Sequence, residues 1–447
     1  MKSWFGKKRF VLVMVMMLAL VLVVPTISQA KGKPDSGPPS VTLAPDVVME
    51  WNLAMLDMIK TDNVSNHFGN RTLAMVHIAM FDSINGIQHK YTQFYGAGSS
   101  PSRVLGKART LSGAASAEAA AATAAYTILS SQYPAREATF NSLYQEQLAR
   151  LSDNPGSKQR GIRFGEDVAQ AILQWREDDG SAEAASVPYP DGTDLGEWRR
   201  TSMMPPMLPG WGDVEPFAMS SGDQFRLMGP PAMDSYEYAR DYNEVKTIGQ
   251  VDSPIRTEEQ TTIARFWVSG IPRMWNLVAR DLVEANQYDL LESARLLALL
   301  NVTMADANIV GWDMKYHYGY WRPVTAIQYG DVDGNDDTAG EAGWTSLIPA
   351  PAFPEYVSGH STSCGSAASL LAEFTGTDTF MFTLASEANP ALSPRTFNTF
   401  WQAAREAGIS RIYGGIHFNF SNVEGLEAGR SLGRYVFENF MTPLPNR

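Results

Sequence analysis

Apolar residues recur at three- and four-residue spacing over positions 46–60, 70–87, 113–131, 135–151 and 157–177. That period gathers them on one face of an α-helix. It returns over 257–267, 279–288, 292–315, 361–374, 394–407 and 421–440, while the run around Ala114 to Ala125 is almost all alanine, which lets helices approach closely. Between 178 and 253 the period is lost among Pro, Gly, Trp and Met, as in Met203-Met204-Pro205-Pro206 and Pro209-Gly210-Trp211-Gly212. This predicts a long ordered loop that wraps the helices. No alternating run is long enough for a substantial sheet, so the expected class is mainly α, helical bundles with little or no sheet.

The N-terminal thirty residues follow different rules. Lys2, Lys7, Lys8 and Arg9 precede an apolar run from Phe10 to Val24, then Pro25 and Ser28-Gln29-Ala30. This is the layout of a secretory signal peptide, with cleavage expected near Ala30 and a secreted or otherwise extracytoplasmic product; an uncleaved membrane anchor is the rival reading. Residues 31–45, rich in Pro and Gly, read as a flexible lead-in. The expected organisation is then an N-terminal helical region over 46–255, containing the loop at 178–253, and a C-terminal helical bundle over 256–447.

Loss of the signal takes the formal charge from -12 to -16, since it removes four basic and no acidic residues. An acidic chain is a poor partner for nucleic acid. Cys364 is the lone cysteine, so no internal disulfide is possible, and its place on a helical run makes it a packing residue. The loop Asp331-Val332-Asp333-Gly334-Asn335-Asp336-Asp337 invites a calcium reading, but its Gly is misplaced for an EF-hand and no Glu closes it, which favours a solvated turn.

Three segments carry chemistry. In Lys315-Tyr316-His317-Tyr318-Gly319-Tyr320-Trp321-Arg322-Pro323, two cations stand among aromatic residues that make a poor solvent face, so Lys315 and Arg322 are expected to point into a lined cavity. Phe353-Pro354-Glu355-Tyr356-Val357-Ser358-Gly359-His360 stops at Ser-Gly and enters an apolar helical run. It brings a hydroxyl, a backbone N–H and a helix N-terminus together as an anion site, with His360 at its mouth for proton transfer. In Ser410-Arg411-Ile412-Tyr413-Gly414-Gly415-Ile416-His417, the Gly-Gly break turns the chain so that Arg411 and His417 reach one point. Three cations in one dry pocket imply a bound oxyanion.

The sequence Lys-x6-Arg-Pro, then Ser-Gly-His, then Ser-Arg-x5-His resembles the signature shared by vanadium-dependent haloperoxidases and the type 2 phosphatidic acid phosphatase superfamily. The resemblance implies an α-helical fold of paired bundles and a vanadate cofactor. Lys315, Arg322, Ser358, Gly359 and Arg411 would hold its equatorial oxygens, His417 would bond the vanadium, and His360 would serve the apical oxygen as acid and base. It also implies that Trp312 and Phe353 wall the halide side, with Lys315, His360 and His417 as the catalytic set. Hydrogen peroxide, halide and an organic acceptor are the implied substrates, hypohalous acid the product.

The alternative is an acid phosphatase acting on a phosphoester, with His417 as nucleophile through a phosphohistidine; a non-catalytic oxyanion binder is a third class. Two positions depart from the family pattern. Val357 replaces the usual Pro before Ser-Gly-His, and Ser421 stands where phosphatases carry an Asp that orients the last His. A carboxylate from elsewhere, Glu258, Glu259 or Asp306, is expected to stand in.

Overall fold

The computed structural model describes residues 46–95, 115–268 and 270–445. The expected signal peptide and lead-in therefore lie outside the described residues. Helices α1 (Val47–Thr61), α2 (Asn66–Gln88), α3 (Ala117–Gln132), α4 (Glu137–Arg150) and α5 (Pro155–Trp175) match the first five periodic runs, with shifts of a few residues at their ends. Asp46, Ser116 and Asn154 cap α1, α3 and α5 through side-chain oxygens, which satisfies N–H groups that have no partner inside a helix.

The region 178–253 is not all loop. It ends in α6 (Tyr236–Ile248), capped by Ser235 and buried through Tyr238, Tyr242 and Val245. Those residues sit at i, i+4 and i+7, but tyrosines in a polar run made a weak apolar signal. The next helices are α7 (Glu258–Phe266), α8 (Ile271–Asn286), α9 (Leu290–Tyr318) and α10 (Pro323–Gln328). α8 starts eight residues before the expected 279, because Pro272 lies in the first turn, where a missing N–H costs nothing.

The C-terminal part comprises α11 (Gly359–Thr375), the strands β1 (Thr379–Leu384) and β2 (Arg395–Thr399), α12 (Phe400–Tyr413) and α13 (Asn419–Asn439). The helix expected over 394–407 begins only at Phe400. Residues 395–399 instead pair antiparallel with β1, burying Phe382 against Phe397. This two-stranded hairpin is the only named sheet among the described residues, so the fold class is mainly α as expected.

α9 is the axis of the molecule. It is buried from Leu291 to Lys315 nearly all round and packs on α2 on one side and α11 on the other. α11 and α13 form the closest helix pair, and glycines explain the approach. Gly425, Gly429 and Gly433 recur every fourth residue of α13, and a Cβ on any of them would press into the α11 backbone at Ser358, Thr362 or Ser366. Gly161 and Gly165 of α5 face the backbone of the alanine-rich α3 in the same way. The described residues form one compact unit, and α2 meets α9 across the expected boundary at 255/256.

The wrapping segment before α6 is tied down by α9. Asp306 accepts the backbone N–H groups of Phe217, Ala218 and Met219 at 2.7 to 3.1 Å, and Asp313 pairs with Arg226 through two bonds. The acidic turn at 331–337 closes on itself. Buried Asp333 accepts from the Thr338 hydroxyl, the Asn335 N–H and the Tyr238 hydroxyl, so it anchors α6 rather than pointing into solvent. Cys364 is fully buried, and burial pushes its thiol up to about 12, as suits a packing residue.

Candidate functional site

α9, the turn after it, the start of α11 and the end of α12 converge. Lys315 is in the last turn of α9, and Gly319 ends that helix in the left-handed conformation, turning the chain so that Arg322 comes back beneath it. Ser358 is the N-cap of α11. Its Oγ accepts from the Ser361 N–H and lies 2.9 Å from the Ser361 hydroxyl, which also bonds Asn422 Oδ1 at 2.9 Å. Arg411 is in the last turn of α12; Gly415, at φ +77, then reverses the chain and delivers His417. No side chain fits at Gly415, because a Cβ there would strike the Gly249 carbonyl.

His417 is the best-defined group of the site. Its Nδ1 lies 2.7 Å from Glu355 Oε1, which also accepts the Phe418 N–H at 3.0 Å. Its Nε2 lies 3.2 Å from Arg322 Nη1. A guanidinium has only donors, so Nε2 accepts and Nδ1 carries the proton toward the carboxylate. Glu355 thus fixes the tautomer that leaves the Nε2 lone pair facing the cations. Burial raises Glu355 to about 7, with Arg322 and Lys315 pulling the other way. Burial, then Arg322 and Lys315, keeps the His417 imidazole neutral well below its ordinary range.

Glu355 corrects the sequence reading, which looked to Glu258, Glu259 or Asp306 for this carboxylate. Asp306 is spent on three backbone N–H groups, Glu259 pairs with Arg395 at the surface, and Glu258 is exposed. The signal was present inside the second motif, four residues before Gly359, but its partner is sixty-two residues away in sequence. Ser421, the departure from the phosphatase pattern, lies beside the same carboxylate.

The cations are held differently from one another. Lys315 Nζ donates to the carbonyls of Pro354, Glu355 and Val357, committing all three of its N–H groups to the loop before α11. Arg322 donates to Phe353, Pro354 and Ile416 carbonyls as well as to His417. Arg411 donates one N–H to the Trp267 carbonyl at 2.8 Å, and its buried Nε has no partner. Burial and mutual repulsion depress Lys315; burial lowers Arg322 to about 9 and Arg411 to about 10. His360 Nε2 donates to the same Trp267 carbonyl at 2.7 Å, leaving Nδ1 with the lone pair. Burial and Arg411 hold this ring neutral.

Phe353 is wedged between the two cations of the first motif, its ring 5.0 Å from Lys315 Nζ and 4.7 Å from the Arg322 guanidinium carbon. Trp312 stands 4.9 Å from it, centroid to centroid. A cavity of about 480 Å³ opens here, lined at one end by Gly359, His360, Arg411 and His417. Lys315, Arg322 and Ser358 lie fully buried behind that lining. Four of the seven motif residues therefore line one cavity and the other three lie buried beside them, with Trp312 and Phe353 in its wall.

The donor set fits an oxyanion. Two arginines and a lysine face one carboxylate, Arg411 Nε is an orphaned buried donor, and a Cβ on Gly359 would occupy the space between Trp312 and Lys315. The model of the second helical-bundle domain of vanadium chloroperoxidase (VCPO) matches residues 295–445, which include every motif residue. A bacterial vanadium-dependent iodoperoxidase of known structure is 26% identical, with a TM-score of 0.74, covering 90% of this chain and 98% of that one. Over residues 295–445 this chain is thus similar to the second helical bundle of the vanadium-dependent haloperoxidases.

Two further proteins are similar to it. Vanadium chloroperoxidase of Curvularia inaequalis is 30% identical over 141 residues, 26% of this chain and 22% of that protein. The chain thus matches about a fifth of the length of that curated relative. A bacterial vanadium-dependent chloroperoxidase shares the fold at TM-score 0.64 and 16% identity, over 90% of this chain and 94% of that one.

Proposed function

We propose that this protein is a vanadate-dependent haloperoxidase that oxidises halide with hydrogen peroxide to hypohalous acid. The observation that carries the reading is the aromatic wall: Trp312 and Phe353 lie against the cations and offer a dry, polarisable surface beside the oxyanion residues. A small, weakly hydrated halide suits such a surface, and the large alcohol of a lipid phosphoester has no need of it. Relatives described as an iodoperoxidase and a chloroperoxidase over nearly their whole length support the same class.

His417 Nε2 would bond the metal, Arg322, Arg411, the Ser358 O–H and the Gly359 N–H would hold the oxygens, and Lys315 would supply charge from behind. Bound vanadate supplies Lewis acidity toward peroxide oxygen without a change of oxidation state. His360 takes a proton at Nδ1 from the incoming peroxide, since its Nε2 is held by Trp267. Arg322 and Arg411 oppose the negative charge that grows on the oxygens, in a site where water does not screen it. Trp312 and Phe353 exclude water from the halide. The N-terminal thirty residues support export, which N-terminal sequencing of the purified product checks.

A specific observation favours a second reading, a phosphatase of the same superfamily. Glu355 supplies the carboxylate on His417 Nδ1 that nucleophilic attack by Nε2 requires. The test supplies purified protein with orthovanadate, peroxide and bromide or chloride, beside a metal-free control and a phosphomonoester. Halogenation above the control supports the proposal; none, with brisk phosphoester hydrolysis, transfers the assignment to the phosphatase.

A further inference from the structure

Trp267 is held at both ends, and only one of those ends lies in the oxyanion site. Its carbonyl receives His360 and Arg411. Its indole N–H donates to Glu406 Oε1 at 3.0 Å, and the ring itself is fully buried. Glu406 and Arg411 both belong to α12, so one helix grips the residue that follows α7 by its side chain and by its backbone.

Glu406 is not free to swing. Arg395 of β2 faces it through two bonds, Nε to Oε1 at 2.6 Å and Nη2 to Oε2 at 2.8 Å, and the two side chains are only 19% and 16% exposed. A guanidinium and a carboxylate that meet fork to fork fix each other's orientation as well as their separation. The same Nη2 reaches Glu259, in the first turn of α7, at 2.8 Å. Phe397, also on β2, packs on the Trp267 ring at 5.9 Å between centroids. The hairpin therefore holds α7 at its start and, through Glu406, just past its end.

The carbonyls at the end of α7 give that hold its purpose. A helix leaves its last C=O groups without partners of its own, and other groups must supply them. Asn389 donates to the Arg265 carbonyl at 2.6 Å and Ser386 to the Phe266 carbonyl at 2.8 Å, both from the link between the strands. The Trp267 carbonyl is next in line, and it meets His360 Nε2 at 2.7 Å. A helix C-terminus carries partial negative charge, which favours N–H donors there. Which ring nitrogen of His360 bears the proton is thus decided by where this carbonyl points.

Resting on the haloperoxidase reading, we propose that Glu406, braced by Arg395, is a positioning residue for the acid-base step: by holding the Trp267 indole it aims the carbonyl that keeps the proton on His360 Nε2 and the lone pair on Nδ1. Its hydrogen bonds run to Trp267 and Arg395, so it acts on His360 through Trp267. No bond is made or broken at Glu406. With the indole released, the peptide can rotate and the carbonyl loses its aim. The neutral ring then divides between its two tautomers, one of which puts an N–H where the acceptor lone pair is needed.

The experiment compares wild type with Glu406→Ala, Glu406→Gln and a control, Glu259→Ala, which removes the exposed partner of Arg395 and leaves Trp267 held. Long-range 1H–15N spectra of the vanadate-free protein read the His360 tautomer directly. Wild type and Glu259→Ala should show the single tautomer protonated at Nε2, and Glu406→Ala should draw the two ring 15N shifts toward each other. Glu406→Gln, whose amide oxygen still accepts the indole N–H, should return toward wild type. In turnover with vanadate, peroxide and bromide, kcat should fall about tenfold in Glu406→Ala, the low end for loss of a group that orients a functional side chain. The KM for bromide should be unchanged, and Glu406→Gln should recover most of kcat. An unchanged His360 spectrum in Glu406→Ala, or an unchanged kcat, overturns the role. Should Glu406→Ala fail to fold, Trp267→Phe, which keeps an aromatic ring without the donor, takes its place under the same criteria. A shifted tautomer in a protein whose wild type brominates nothing keeps the positioning and sinks the haloperoxidase reading.

Discussion

At the scale of single residues, the site is organised around the two nitrogens of one imidazole. Arg322 can only donate and Glu355 accepts, so the His417 tautomer is set by its neighbours before any ligand arrives. Glu355→Ala is expected to scramble that tautomer, visible in the 15N shifts of the ring, and to weaken vanadate binding about 10- to 100-fold, the usual effect of losing a partner that orients a ligand. Glu355→Gln, which keeps an acceptor oxygen, should recover part of the loss. Gly359→Ala tests the cradle instead. Its Cβ would lie 3.6 Å from Trp312 and 3.9 Å from Lys315, ordinary contact distances. Thermal stability should therefore hold while oxyanion affinity drops, and calorimetric titration with vanadate reads the difference.

The seven motif residues were legible because each motif binds its residues to a local device: a helix end, an N-cap, a Gly-Gly reversal. Glu355 was legible only as a letter within the second motif, since its partner belongs to the third and nothing local marks the pairing. Lys315 was read as an oxyanion contact, whereas its three N–H groups are engaged by the carbonyls of the next motif. Sequence gives the charge of such a residue but not the acceptors that a folded loop brings to it.

At the scale of elements, glycine spacing and buried carboxylates hold the site in register. α13 approaches α11 only because Gly429 leaves room at Thr362. Gly429→Ala should cost about 1–3 kcal/mol or more by overpacking, read by urea denaturation, and should also impair the anion site because the first turn of α11 shifts. Asp306 governs the wrapping segment in a pH-dependent way. Burial raises its carboxyl from 3.8 to about 6 against the pull of three N–H bonds. The folded state therefore binds the proton more tightly than the unfolded chain, and the contribution of Asp306 is greatest at low pH and declines as pH rises to about 6. The destabilisation caused by Asp306→Asn should shrink by about 2 kcal/mol between pH 4 and pH 7. Denaturation of both proteins across that window measures it.

Elements with long apolar periods, α2, α5 and α9, were plain in the sequence. α6 was hidden because its buried face is two tyrosines and a valine, and the β1–β2 hairpin because five residues of strand run directly into α12. In both, tertiary burial decides what local pattern leaves ambiguous.

At the scale of the whole molecule, cations are buried at the expense of stability, and the proposed oxyanion would return it. Three mutually repelling charges in the dry end of one cavity lower the stability of the folded chain, and an oxyanion that binds only the folded state raises it. Vanadate at a hundred times its dissociation constant should stabilise by about 2.7 kcal/mol, seen as a rise in melting temperature that phosphate reproduces and that Arg411→Ala abolishes. An acidic chain repels free anions at long range, so this affinity is local to the site and not a property of the net charge of -12.

One backbone oxygen has a hold on both halves of the chemistry. The carbonyl of Trp267 receives the Nε2 proton of His360 and a guanidinium proton of Arg411. In the proposed mechanism, the proton acceptor and the charge that steadies the oxyanion are thus geared to one peptide between α7 and α8. A shift of that peptide would disarm acid-base catalysis and anion grip in the same stroke.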